Sequence, residues 1–83
     1  MRYTVIWRAN AQADLARIWI AAADRQAVQR AADAIDRLLA TSSFARGNDL
    51  PGLWDFTLWP LNVSFEVIPG DRKVIVYEVI SVS

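Results

Sequence analysis

The sequence predicts an α+β domain: a strand, a helical hairpin and a three-stranded antiparallel meander, with the helices packed on one face of the sheet. Three observations predict it. Apolar residues between positions 11 and 39 recur three and four apart, and from 53 to 67 they alternate with polar ones. The two regions are separated by a stretch rich in Ser, Gly, Asn and Pro. Across 83 residues there is no internal repeat and no low-complexity segment, so a single domain over 1–83 is expected.

Tyr3 to Trp7 is a short strand, with Tyr3, Val5 and Trp7 on one face and Thr4 and Ile6 on the other. Asn10 is the expected N-cap of the first helix, whose apolar face carries Ala11, Leu15, Ile18, Trp19 and Ala22. Gln12, Asp14 and Arg17 lie away from that face. Asp24 breaks the pattern and caps a second helix with a buried stripe of Ala27, Val28, Ala31, Ile35, Leu38 and Leu39. Gln29, Arg30, Asp33, Asp36 and Arg37 stay outside, and Asp33 precedes Arg37 by four residues, the favourable order for an ion pair. So short a connection predicts an antiparallel hairpin.

Thr41 to Gly52 has no period and reads as a loop. Leu53 to Trp59 alternates Trp54, Phe56 and Leu58 against Asp55, Thr57 and Trp59; Pro60 then forces a turn. Leu61 to Val67 alternates Leu61, Val63, Phe65 and Val67 against Asn62, Ser64 and Glu66. Pro69-Gly70-Asp71-Arg72 is a turn with Pro and Gly in its central positions, and Lys73 to Val82 is a long β-branched strand.

Composition removes much of the function menu. With no Cys there is no disulfide framework, thiol nucleophile or Cys-based metal site. With no His there is no Ser-His-Asp triad and no imidazole base. Neither a metal nor a cofactor is expected. Hydrophobic residues at 54 %, including four Trp, argue against disorder and for a core rich in large side chains. Met1 to Arg8 is too short in apolar residues for a signal sequence, and no stretch approaches the ~18 needed to span a bilayer. A soluble cytoplasmic protein with no membrane partner is the expectation.

Nine basic residues balance nine acidic ones, which argues against a partner bound by broad phosphate neutralisation. The balance is uneven along the chain. Residues 1–46 hold seven Arg against four Asp, a net of +3. Residues 47–83 hold Arg72 and Lys73 against Asp49, Asp55, Glu66, Asp71 and Glu78, a net of −3. An acidic sheet half repels nucleic acid.

The element order resembles that of the RelE/ParE superfamily, the toxin halves of bacterial type II toxin–antitoxin pairs of the plasmid-stabilisation kind. Three stretches carry the resemblance. Ala11-Gln12-Ala13-Asp14-Leu15-Ala16-Arg17-Ile18 is similar to the family's first helix, and Leu50-Pro51-Gly52-Leu53-Trp54 to the start of the second strand in the YoeB-like branch. Val63-Ser64-Phe65-Glu66-Val67 resembles its third strand, with Phe65 where Tyr is usual.

The resemblance implies a toxin-like component bound by a cognate antitoxin whose C-terminal segment wraps it. It further implies a target that is the ribosome in the nuclease members or DNA gyrase in the ParE-like ones. Messenger cleavage needs cations to hold the phosphate and an acid–base pair. Here Asn62 falls at or next to the family's Arg, the second strand has no basic residue in Asp55 to Leu58, and Ser81-Val82-Ser83 lacks the terminal His, Tyr or Arg. The reading is therefore a toxin-like protein without ribonuclease activity. The alternatives are a ribosome-dependent mRNA endoribonuclease with a rearranged site and a non-toxic protein-interaction module.

For catalysis the candidates are Arg46, Arg72, Lys73 and Tyr77, and for partner binding Asp55, Trp59, Asn62 and Glu66. Asp55 and Glu66 form either a carboxylate pair or a solvated face; Glu78 points outward or is a buried acid. Tyr77 is a general acid, a stacking platform or simple packing, and Arg72 and Lys73 meet phosphate or belong to a charged turn. Trp59 is expected on the outer sheet face with Asp55, Thr57 and Phe44, as an interface residue or packed under the loop. The helical Arg17, Arg25, Arg30 and Arg37 bind nucleic acid or, as their spacing and acidic neighbours favour, form a mixed solvated face.

Overall fold

A computed structural model describes residues 2–41 and 52–82. The chain runs β1 (Thr4–Trp7), α1 (Ala9–Ala21), α2 (Arg25–Ala40), β2 (Gly52–Leu58), β3 (Leu61–Ile68) and β4 (Lys73–Ser81). The four strands form one mixed sheet in the order β1-β4-β3-β2. β2 and β3 are antiparallel, as are β3 and β4, while β1 runs parallel to β4 with Val5 opposite Val74 and Trp7 opposite Val76. The α+β class is as expected, and the sheet is four-stranded and mixed because β1 joins it in parallel beside β4. The paired helices carry the chain from one sheet edge to the other, which leaves β4 to return beside β1.

Strand alternation sorts the side chains as expected. Leu61, Val63, Phe65 and Val67 of β3 are buried, and Asn62, Ser64, Glu66 and Ile68 are half-exposed. Both helices bring alanines to this surface: Ala11 from α1 and Ala27, Ala31 and Ala32 from α2. Their small side chains allow close approach to a Val-rich sheet, and Val28, Ile35 and Leu39 fill the remaining space. The core expected to be rich in large side chains is filled mainly by aliphatic ones. Among the described residues Phe65 is the one aromatic that is fully buried; Trp7 and Trp54 pack at the core's margin, and Trp19 and Trp59 are 40 % and 63 % exposed. A Trp is too large to bury between an Ala surface and a Val surface in so small a domain.

Local chemistry sets the helix ends. α1 begins one residue before Asn10: Arg8 is the N-cap, with no side-chain cap, and the Gln12 amide donates to the Trp7 carbonyl at 2.8 Å. At the other end Arg25 folds back onto α1. Its Nε donates to the Trp19 carbonyl at 3.1 Å and its terminal nitrogen to the Ile20 carbonyl at 3.0 Å, while the guanidinium carbon sits 4.8 Å from the Trp19 ring centroid. Asp24 caps α2 as expected, accepting the Ala27 N–H at 3.0 Å. These two residues fix the hairpin from both sides of its turn. The expected Asp33–Arg37 pair does not form; Asp33 accepts from Gln29 at 3.0 Å instead.

Asp14 departs most from expectation. Although α1's spacing turns it away from the apolar face, its carboxylate pairs with Arg17 and accepts the Val79 N–H at 3.2 Å. β4 extends beyond Val76, the last residue opposite β1, and α1 takes over along that edge. Asp14 there supplies the acceptor that a strand would otherwise provide.

The β3–β4 connection is a 3₁₀ turn over Pro69–Asp71. The left-handed residue is Arg72, at φ 51° and ψ 49°, rather than Gly70. Its carbonyl accepts the Thr4 N–H at 2.8 Å, so the turn is tied to the start of β1. The β2–β3 turn holds Trp59 and Pro60, with the bond between them cis.

Candidate functional site

No described helix covers the second sheet face, and its side chains form rows across the strands. One row runs Leu53, Glu66, Ile75, Ile6; the next runs Asp55, Ser64, Glu78; the third runs Thr57, Asn62, Ile80. Neighbouring strands lie ~4.8 Å apart, so Asp55 and Glu78 flank Ser64 at two strand spacings. Asp55 and Glu66 are diagonal neighbours and not a facing pair. This face thus holds three of the four residues expected to bind a partner: Asp55, Asn62 and Glu66.

A β-bulge shapes the centre. The register shifts between Ser64, opposite Glu78, and Phe65, opposite Val76, which leaves Tyr77 as the extra residue. The shift also changes the parity of β4: Val74 and Val76 are buried before it and Val79 after it. Glu78 is exposed, in keeping with the outward reading. Tyr77 stays half-exposed on the open face, its hydroxyl donating to Glu66 Oε1 at 2.5 Å. The Arg8 guanidinium lies over its ring, 5.3 Å from the centroid.

The bond to the Glu66 carboxylate, with partial burial and the carboxylate's charge, raises the Tyr77 hydroxyl above the ordinary phenol value; Arg8 opposes this in part. Tyr77 is therefore a neutral hydrogen-bond donor at physiological pH. Beside it, the Asn62 amide donates to Thr57 Oγ1 at 2.7 Å and to Asp55 Oδ2 at 3.4 Å, which orients the Asp55 carboxylate. A groove of about 700 Å³ lies over this centre, lined by Leu53, Asp55, Ser64, Glu66, Tyr77 and Glu78.

Trp59 is not part of it. As a turn residue it leaves the β2 alternation and lines a second, apolar groove of about 450 Å³ at the end of the sheet, with Ile18, Ala22, Val28, Pro60 and Val82. Arg72 and Lys73 sit at the far hairpin; Lys73 is four residues from Tyr77, roughly 13 Å along the strand. The catalytic candidates are therefore not brought together. Arg46, and Phe44 as the expected neighbour of Trp59, lie outside the described residues.

Two participants do not stand out in the sequence. Arg8 reads there only as the end of a strand; a cation next to an aromatic-bearing strand is a visible hint, but the bulge that aligns it with Tyr77 has no sequence signal. Ile80, 50 % exposed, is submerged in a uniformly β-branched run. Among the described residues no group of three or more His, Cys, Asp or Glu is placed to hold a metal ion, and no helix is long and apolar enough to cross a membrane.

The face combines carboxylates, a neutral phenol and exposed aliphatic side chains, a surface suited to protein contact and poorly suited to gripping phosphate. No protein-family model matches the chain, and no curated protein matches it.

Proposed function

We propose that this chain is the toxin-like component of a type II toxin–antitoxin pair, and that it acts by binding protein and not by cleaving RNA. The observation that carries the reading is the open sheet face, where Asp55, Glu66 and Glu78 lie among exposed Leu53 and Ile80. A nuclease of the family it resembles needs cations to hold a scissile phosphate, and carboxylates there repel one. The resemblance in element order and in the strands around Trp54 and Phe65 supplies the toxin part of the reading. The binding part rests on aliphatic residues such as Leu53, 75 % exposed, which are costly to leave in water.

The test is expression of the chain alone and together with the product of the neighbouring reading frame. Growth arrest relieved by the neighbour, without cleavage of ribosome-bound messenger, is the expected result. Cleavage would overturn the binding-only reading, and unaffected growth with a stable complex would reduce it to an interaction module.

One observation favours a second reading, a ribosome-dependent endoribonuclease with a rearranged site. Tyr77 bonds the Glu66 carboxylate and carries the Arg8 guanidinium over its ring, which gathers a proton donor, an acceptor and a cation around one residue. If that cluster were catalytic, Tyr77→Phe would abolish messenger cleavage while leaving antitoxin binding intact.

A further inference from the structure

The partner's chemistry can be read from the charge of the open face. Three carboxylates occupy its two central rows, Asp55 and Glu78 beside Ser64, and Glu66 in the adjoining row. Among the described residues none of the three is ion-paired. Asp55 receives the Asn62 amide and Glu66 the Tyr77 hydroxyl; both are neutral donors that orient the oxygens without neutralising them. Among the described residues two cations belong to this face: Arg8, stacked on the Tyr77 ring and in no ion pair with a carboxylate, and Lys73, at the hairpin end of β4.

Aliphatic side chains bracket the acidic centre. Leu53, Ile75 and Ile6 share the Glu66 row, and Ile80 lies in the row beyond Glu78. Leu53, Ile80 and Ile6 are 75 %, 50 % and 39 % exposed. A small cation would leave this apolar surface in water, and a nucleic acid would meet repulsion. A protein segment carrying both basic and aliphatic side chains satisfies both parts.

We infer that the open sheet face receives a basic, amphipathic segment of a partner protein, its Lys or Arg side chains over Asp55, Glu66 and Glu78 and its aliphatic side chains over Leu53, Ile75 and Ile80. The inference rests on the binding reading above and specifies the sign of the partner's contact segment. It places the partner on the acidic half of the chain and not on the Arg-bearing helices.

The test uses the full chain, isotopically labelled for amide NMR, titrated with a synthetic peptide alternating Lys and Leu and separately with one alternating Glu and Leu. The expected result is shift changes confined to residues 53–57, 62–66 and 75–80 with the Lys peptide, weakening as salt is raised, and none with the Glu peptide. The double variant Asp55→Asn/Glu78→Gln, whose unchanged spectrum elsewhere reports an intact fold, is expected to bind the Lys peptide about tenfold more weakly. Equal binding of the Glu peptide, changes centred on α1 and α2, an unaffected double variant, or no binding of either peptide would each overturn the inference. The growth experiment is read separately: a neighbour that relieves arrest while docking on the helices would sink this inference and leave the toxin reading standing.

Discussion

Asp14 and Val79 are joined by a hydrogen bond of 3.2 Å from the Val79 N–H to the Asp14 carboxylate, linking α1 to β4 across 65 residues of chain. The bond satisfies a backbone donor of a buried residue on the stretch of β4 that β1 does not reach. Asp14→Ala strands that donor and is expected to cost about 1–3 kcal/mol, while Asp14→Asn, which keeps an acceptor oxygen, costs less. Urea unfolding of the two variants measures the difference. Equal losses would mean that the Arg17 contact or local helix propensity matters more than the link to β4.

The Tyr77–Glu66 bond makes a pH-dependent prediction. Because the hydroxyl is raised above the ordinary phenol value, the bond's stabilisation is fully present below pH ~10 and is lost as pH rises through the higher folded value. In a Tyr3→Phe background, phenolate absorbance is expected to appear above the range of a free tyrosine, and Glu66→Gln is expected to bring it down. Arg8→Ala should move it further up, since the guanidinium favours the phenolate.

Arg25 supplies the C-terminal end of α1 with donors that the helix lacks, since its last turn has no basic residue of its own. Arg25→Ala is expected to destabilise by about 0.5–1.5 kcal/mol through lost bonds to the Trp19 and Ile20 carbonyls and lost stacking. Arg25→Lys should recover only part of this, because an ammonium cannot bond both carbonyls while lying flat on the Trp19 ring. Thermal melts of the three proteins order them.

Phe65 and Leu53 separate folding from docking. Phe65 is 1 % exposed at the centre of the core, and Phe65→Ala is expected to cost about 3–5 kcal/mol, enough to unfold a marginal domain of this size. Leu53→Thr, at the exposed end of the Glu66 row, should stay within about 0.5 kcal/mol of the parent while weakening the complex with the neighbouring gene product. Circular dichroism melts and co-purification give the two readouts.

Much of the architecture is legible in the amino-acid order. Leu61, Val63, Phe65 and Val67 announce a buried face by strict alternation, and Asp24 announces the second helix by its position before an apolar stripe. β4 is harder, because Lys73 to Ser81 is β-branched on both faces and offers no parity to follow; the bulge at Tyr77, the outward Ile80 and the contact with Arg8 leave no trace in its pattern. Counting along β2 assigns Trp59 to the outer face, and the count fails because the strand ends at Leu58. The helical angle of Asp14 places it outside, but that angle carries no information about a strand edge lying on the same side.

The sequence by itself determined the α+β class, the core faces of β2 and β3, that of α2 except that Ala32 is buried and Leu38 only half-buried, and the acidic character of the sheet half, because periodicity and charge are local properties of a chain. Only the tertiary structure decided that β1 joins β4 in parallel and that Asp14 completes its edge. It also decided that Asp55, Glu66, Glu78 and Tyr77 share one open face, with Lys73 at its far end and Trp59 away from it. Each of these depends on strand order, register and a bulge, which arise from packing between segments distant in sequence.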